Sequence, residues 1–140
     1  MMKAVCVVLI MVWPIFAFAQ ESTSTNTEAR EAQSMLEGAY ALHARVAEIC
    51  EDASAMGLLY DVAEETLKKL DGWQEQKNQN LTSYSSCRQS MVDVQSYAYT
   101  CAQGGYKGKA VTYMQRRWAE DIANCTEAIR VSTVQGSGRN

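Results

Sequence analysis

Proline, histidine and phenylalanine are scarce in this chain, with one, one and two copies. The single proline, Pro14, lies near the amino terminus, so nothing beyond it interrupts a helix by removing a backbone N–H. A fold of short strands and tight turns draws on more proline and glycine, which points away from β architecture. With His43 as the one histidine, a carboxylate-bridged di-metal bundle is excluded, because that site needs Glu-x-x-His on two helices. No Cys-x-x-Cys spacing supports zinc, and no Cys-x-x-Cys-His segment supports covalent haem. Gly104 to Ala110 approximates a phosphate loop, but Gln103 and Ala110 stand where glycine and Ser/Thr are required. Neither Gly-x-Ser-x-Gly nor His-Glu-x-x-His occurs. A non-enzymatic protein without cofactor or metal is expected.

What is present begins with Lys3, followed by an apolar run from Ala4 to Phe18 that ends Ala17-Phe18-Ala19 before Gln20. A charged start, a short hydrophobic stretch and a small-x-small ending make a secretory signal peptide. A spanning helix needs about 20 apolar residues, and this run is shorter and broken by Pro14. Residues 1–19 are therefore read as cleaved, with secretion or periplasmic export and no stable membrane insertion afterwards. Cys6 lies inside the run, not at its end, so it leaves with the peptide and carries no lipid anchor. Of five cysteines, Cys50, Cys87, Cys101 and Cys125 remain. An even number in an exported chain reads as two bridges.

Residues 20–27 are polar and are read as a flexible lead into a single helical domain over 28–131. From Ala32 the apolar positions run Ala32, Met35, Ala39, Leu42, Val46, Ile49, Ala53 and Met56, alternating steps of three and four. That is the seam of a helix packing in coiled-coil fashion. Asn26 or Thr27 is the expected cap, and Gly57 the expected stop. A second run holds Leu59, Val62, Ala63, Thr66, Leu67, Leu70 and Trp73, and a third holds Tyr84, Cys87, Met91, Val94, Ala98 and Cys101. Thr82 or Ser83 is a natural cap for the third. Gly104, Gly105 and Gly108 cost a helix roughly 1 kcal/mol each and mark a turn. The last helix turns Val111, Met114, Trp118, Ile122, Cys125 and Ile129 inward, and the tail 132–140 shows no apolar pattern and reads as loose.

The heptad phase also runs through Lys77 and Asn80, which leaves open an extended three-helix form with one central helix of about 44 residues and ~65 Å. Cysteine geometry separates the two. A bridge holds its Cα atoms within about 7 Å. Cys87 and Cys125 are symmetric about the glycine turn and meet in either form. Cys50 and Cys101 lie near the carboxyl ends of the first and third helices, and these ends share a pole only if the chain reverses near residues 77–82. The predicted fold is an all-α, disulfide-stapled, up-down-up-down four-helix bundle.

Charge is divided along the exported chain: residues 20–75 carry 4 basic and 12 acidic side chains, and residues 76–140 carry 8 and 4. A net negative, exported protein is a poor nucleic-acid binder. Met35, Met56, Met91 and Met114 occupy seam positions and read as core. His43 sits beside the Leu42 and Val46 seam as a boundary residue, and Glu64 and Glu65 read as solvated. Asn80-Leu81-Thr82 and Asn124-Cys125-Thr126 are glycosylation triplets that matter only in a glycosylating source.

Tyr106, Lys107, Lys109, Tyr113, Arg116, Arg117 and Trp118 gather at the start of the last helix. With Val111, Met114 and Trp118 inward, about 100° per residue sets Lys109, Tyr113, Arg116 and Glu120 on the outer face. Tyrosine and arginine are enriched at interface centres. Lys109, Tyr113 and Arg116, with Tyr106 and Arg117, are therefore the candidate partner-binding residues, for a protein partner or a second copy. Three functions follow, in order: an interaction module (adaptor, inhibitor, chaperone-like factor or envelope-assembly component); a carrier of a small apolar ligand, lined by Trp73, Tyr84, Met91 and Trp118; and an enzyme without a known signature.

The exported protein is expected to lack Met1 to Ala19 by intact mass. Non-reducing peptide maps are expected to link Cys50 to Cys101 and Cys87 to Cys125, loops of about 50 and 40 residues worth ~3 to 4 kcal/mol each. A Cys50–Cys87 or Cys50–Cys125 peptide overturns the helix order.

Overall fold

The periodic runs become four helices in the computed structural model, which describes residues 21–75 and 81–138. Helix α1 spans Glu21–Cys50, α2 Leu58–Glu75, α3 Ser85–Ala102 and α4 Lys109–Ser137, with a 3-10 turn over Leu81–Tyr84 leading into α3. Residues 1–20, with the expected signal peptide, and residues 76–80, with Asn80 and most of the expected reversal at 77–82, lie outside the described residues. Gly104 and Gly108 both take positive φ, 72° and 57°, in the turn before α4, a conformation open to glycine and strained for other residues.

Neighbouring helices alternate in direction. Arg45 of α1 meets Glu65 of α2, Tyr60 of α2 meets Tyr99 of α3, and Cys87 of α3 is bonded to Cys125 of α4. Helices α1 and α3 run parallel, since His43 touches Tyr97 and Cys50 is bonded to Cys101. This is an up-down-up-down bundle, and the antiparallel packing of α2 on α3 rules out one long central helix. Both bridges join the expected partners, with Cα separations of 5.9 Å for Cys50–Cys101 and 4.7 Å for Cys87–Cys125.

The bundle is not square. Helices α1 and α3 each pack on all three others, whereas among the described residues no Cα of α2 comes within 8 Å of one of α4. A short α1–α3 diagonal accounts for this. Gly38 lets α1 come close: a Cβ there would sit 3.4 Å from Met91 Cε and 3.6 Å from the Lys69 side chain. Small residues also occupy both seams, with Ala32 and Ala39 on α1 and Ser90 and Ala98 on α3 fully buried. One core cluster gathers the buried faces of α1, α2 and α3, including Leu42, Val46, Leu59, Val62, Met91 and Val94. A second, with Ala32, Leu36, Tyr84 and the Cys87–Cys125 pair, lies where α4 joins. Buried hydroxyls are satisfied within their own helices: Thr66 Oγ1 donates to Ala63 O at 2.6 Å and Ser90 Oγ to Cys87 O at 2.7 Å.

The boundaries differ from the sequence pattern in four places. Helix α1 stops at Cys50, not Gly57, because the Asp52 carboxylate accepts from both the backbone N–H and the hydroxyl of Ser54, at 2.9 and 2.7 Å. That local turn competes with helical hydrogen bonding and leaves Ala53 exposed, off the seam. Helix α1 also starts earlier, at Glu21, so residues 21–27 are helical and not a separate lead. There it runs beside the end of α4, where a Cβ at Gly136 would lie 3.8 Å from Asn26 Oδ1. Tyr84, not Thr82 or Ser83, stands at the cap position of α3. Its hydroxyl donates to Ser132 Oγ at 2.6 Å, and Ser132 Oγ donates to Ala128 O at 2.9 Å. This ties the tail to the bundle, and α4 continues to Ser137 where a loose segment from residue 132 was expected.

Met91 is among the largest fully buried side chains and lies where α1 approaches α3 at Gly38. Met91→Ala is expected to cost about 3 kcal/mol. Urea unfolding should show a lower midpoint with an unchanged slope; an unchanged midpoint would mean that the diagonal closes without it.

Candidate functional site

Helix α4 is the least buried of the four for its length. Of its residues only Asp121 and Cys125 are buried, while Val111, Met114, Trp118, Ile122 and Ile129 are half-buried. It lies in the notch between α1 and α3 and is fixed by three devices. The first is the Cys87–Cys125 bridge. Second is a row of rings: Trp118 stacks flat on His43 (centroids 4.1 Å apart, planes at 11°), and Tyr40 meets Trp118 edge-on at 5.7 Å. The row continues from His43 to Tyr97 at 5.1 Å and from Tyr97 to Tyr106 at 4.3 Å, joining α1, α3 and the turn before α4. Such offset and edge contacts add to the area they bury. The third device is polar. Arg117 Nη2 donates to Asp121 Oδ2 at 3.1 Å, and Asp121 faces Asp93 of α3 within hydrogen-bonding reach.

The candidate partner-binding residues divide. Lys109, Tyr113 and Arg116 share the outer face of α4, where Tyr113 is 58 % exposed. The Arg116 guanidinium lies 5.7 Å from the centre of the Tyr113 ring and 3.9 Å from Glu120 Oε1. Tyr106 and Arg117 do not join them: the Tyr106 ring packs on Tyr97, and Arg117 is held by Asp121. Those two serve the attachment of α4, not its free face. The residues named for an apolar carrier are dispersed. Met91 is in the first core cluster and Tyr84 in the second; Trp73 borders a groove of about 160 Å³ between α1 and α2, and Trp118 covers His43.

Another groove, of about 180 Å³, runs along the α3/α4 seam between Gln89, Asp93 and Ser96 on one side and Tyr113 and Arg117 on the other. Asp93 is the acidic residue of that lining, and Asp121, which the sequence pattern did not single out, neighbours it. Asp121 stands seven residues after Met114 and four before Cys125, a seam position that its charge disguised. The same groove brings Tyr113 from the exposed face to the rim, so the outer patch and the groove are continuous.

Three groups here depart from ordinary acidity, and Tyr97 is one of them, its hydroxyl pushed upward by burial and by Tyr106. Burial lowers the pKa of His43. Asp93 is raised to about 6, first by burial and then by Asp121, with Gln89 and Arg117 opposing. A search of protein-family models, curated proteins and solved structures finds no match to this chain.

The neutral imidazole under Trp118 is favoured by the fold, so its contribution to stability is present above pH 6.5 and is lost as pH falls through its lowered pKa. As the lone histidine, it has a single assignable Cε1 proton signal. Its NMR titration is expected to fall below 6.5 in the intact protein and to move back toward that value in Trp118→Ala, which uncovers the ring. An unchanged midpoint in the variant would show that Trp118 is not the cover.

Proposed function

We propose that this protein is a non-enzymatic interaction module, working outside the reducing cytoplasm, whose outer α4 face docks an acidic protein surface. The observation that carries the reading is the division found on α4. Tyr106, Arg117 and Trp118 are used to attach the helix, whereas Lys109, Tyr113 and Arg116 stand on its solvent face. The ion pair available to Arg116 is with Glu120 of its own helix, long and exposed, and such pairs contribute little. A tyrosine ring flanked by an arginine and a lysine is a contact of the kind that dominates binding energy when a partner excludes water from it.

Export is supported by the amino-terminal pattern and by two disulfides, which persist in oxidising compartments. Among the described residues no helix is long and apolar enough to cross a membrane. Two bridges on a small bundle keep the presented face rigid, which limits the entropy lost on docking. The acidic partner is another protein or the Glu- and Asp-rich half of a second copy.

Reversing Lys109 and Arg116 to glutamate and truncating Tyr113 to alanine is expected to weaken association by about 30-fold or more, ~2 kcal/mol. Parallel pull-downs of the exported form and the triple variant from the native extract measure loss of a partner, and sedimentation measures self-association. Helical content and melting should stay unchanged, since none of the three is buried. Full retention of partner by a folded triple variant would reduce the patch to solvated surface.

A further inference from the structure

The seam between α3 and α4 carries a charge arrangement that neither packing nor the outer patch requires. Asp93 Oδ2 is completely buried and has no hydrogen-bond donor facing it. The neighbouring group is a second carboxyl, Asp121, whose side chain is only 10 % exposed. Two carboxylates side by side repel, and the buried Asp93 Oδ2, an acceptor without a donor, bears its desolvation cost although the rest of Asp93 is half-buried. One proton removes both penalties, because a protonated Asp93 donates to Asp121 while Asp121 keeps its bond from Arg117.

We propose that Asp93 and Asp121 form an acid-closed latch, in which a proton shared between them holds the first half of α4 on α3 and its loss loosens that seam and widens the groove. The charged groups facing Asp93 are Asp121 and Arg117, both from α4; Gln89, from its own helix, donates to Asp93 Oδ1 at 3.5 Å. Among the described residues, α1 and α2, packed on the other sides of α3, bring no charged group to bear on it. With one proton on the pair, Arg117 balances the remaining negative charge. Without it the cluster carries a net charge of −1 in a half-buried seam.

The rest of α4 is built for local release. Its second half is anchored by the Cys87–Cys125 bridge and by Tyr84 on Ser132. Between Lys109 and Glu120 no residue is fully buried, so half-buried Met114 on the first core cluster, the ring stack at Trp118 and the carboxyl pair hold this stretch. The raised pKa of Asp93 puts the change in a physiological window. A group whose folded-state pKa is raised stabilises the closed form fully below its unfolded value near 3.8, and that contribution is lost as pH rises through about 6. The latch is closed at pH 5 and loosened at pH 7.5. His43, under Trp118 on the same helix, has the opposite sign, so the two titrations are separable.

Amide hydrogen exchange on the full exported chain tests the latch, with rates corrected for the intrinsic pH dependence of exchange. In the wild type, amides of residues 110–120 are expected to exchange roughly ten-fold faster at pH 7.5 than at pH 5, while those of α2 stay level. Asp93→Asn, neutral at every pH, should abolish the difference, and His43→Phe should preserve it. Equal protection of residues 110–120 at both pH values in the wild type overturns the proposal without any variant. A folded Asp93→Asn protein that keeps the pH response also overturns it. Should Asp93→Asn fail to fold, Asp121→Asn replaces it with the same expected loss of response.

Discussion

Helix α3 touches every other helix, and both disulfides leave from it. Its parallel approach to α1 is possible because Gly38 lets α1 come up to Met91 and because alanine and serine recur in both seams. Once that diagonal is short, the other two helices are kept apart. Helix α2 closes one side with a full apolar stripe, and α4 must settle into the notch on the other. A notch buries a narrower strip than a groove between four equal neighbours. The half-exposed state of Val111, Met114 and Ile122 follows from that geometry and not from any weakness in their pattern.

A helix that buries little must be held by other means, and α4 shows three of different physical kinds. The covalent bridge at Cys125 acts regardless of pH and outlasts any local opening. The Trp118–His43 stack adds area and shape, and it is weakened only when pH falls below the ordinary histidine range and the ring is protonated. The Asp93–Asp121 pair is conditional on a proton. They are arranged in order along the helix, with the permanent fastening on the second half and the conditional ones on the first. The exposed Lys109–Tyr113–Arg116 face is carried by the conditionally held half. The exposed patch and the proposed latch therefore occupy the same segment.

Polar groups in the interior separate into two sorts. Thr66 and Ser90 are buried, but each donates to a carbonyl three residues back, so they act as small core residues with no outside partner needed. Asp93 and Asp121 cannot satisfy themselves in that way, since a carboxylate only accepts. Their burial is a cost that the α3/α4 contact must offset, and the groove of about 180 Å³ beside them marks where packing was left incomplete. Tyr97 belongs with the second sort: burial and the neighbouring Tyr106 hold its hydroxyl in the protonated, donating form.

Helix number, the bridge partners and the seam residues other than Ala53 and Leu67, which are exposed, were determined by the sequence alone. Each depends on relations within one helix, or on the symmetry of two helices about a turn, and both can be counted along a chain. Spacing of three and four sets which of Ala32, Ala39, Leu42, Met91 and Val94 share a face, and chain length between cysteines sets which ends meet. Local side-chain chemistry already blurred this at the boundaries, where Asp52 and Ser54 ended α1 early and Tyr84 with Ser132 drew α4 out to Ser137. Tertiary structure decided what each face meets. Periodicity gives the direction of a side chain around its helix axis, but not the depth to which a neighbour covers it. Arg117 and Tyr106 fall at surface positions of the pattern but are occupied by Asp121 and Tyr97, and Asp121 is buried despite its charge. The proximity of Asp93 to Asp121 arises from two helices whose register is set by a disulfide one to two turns away, and no pattern within either helix contains it.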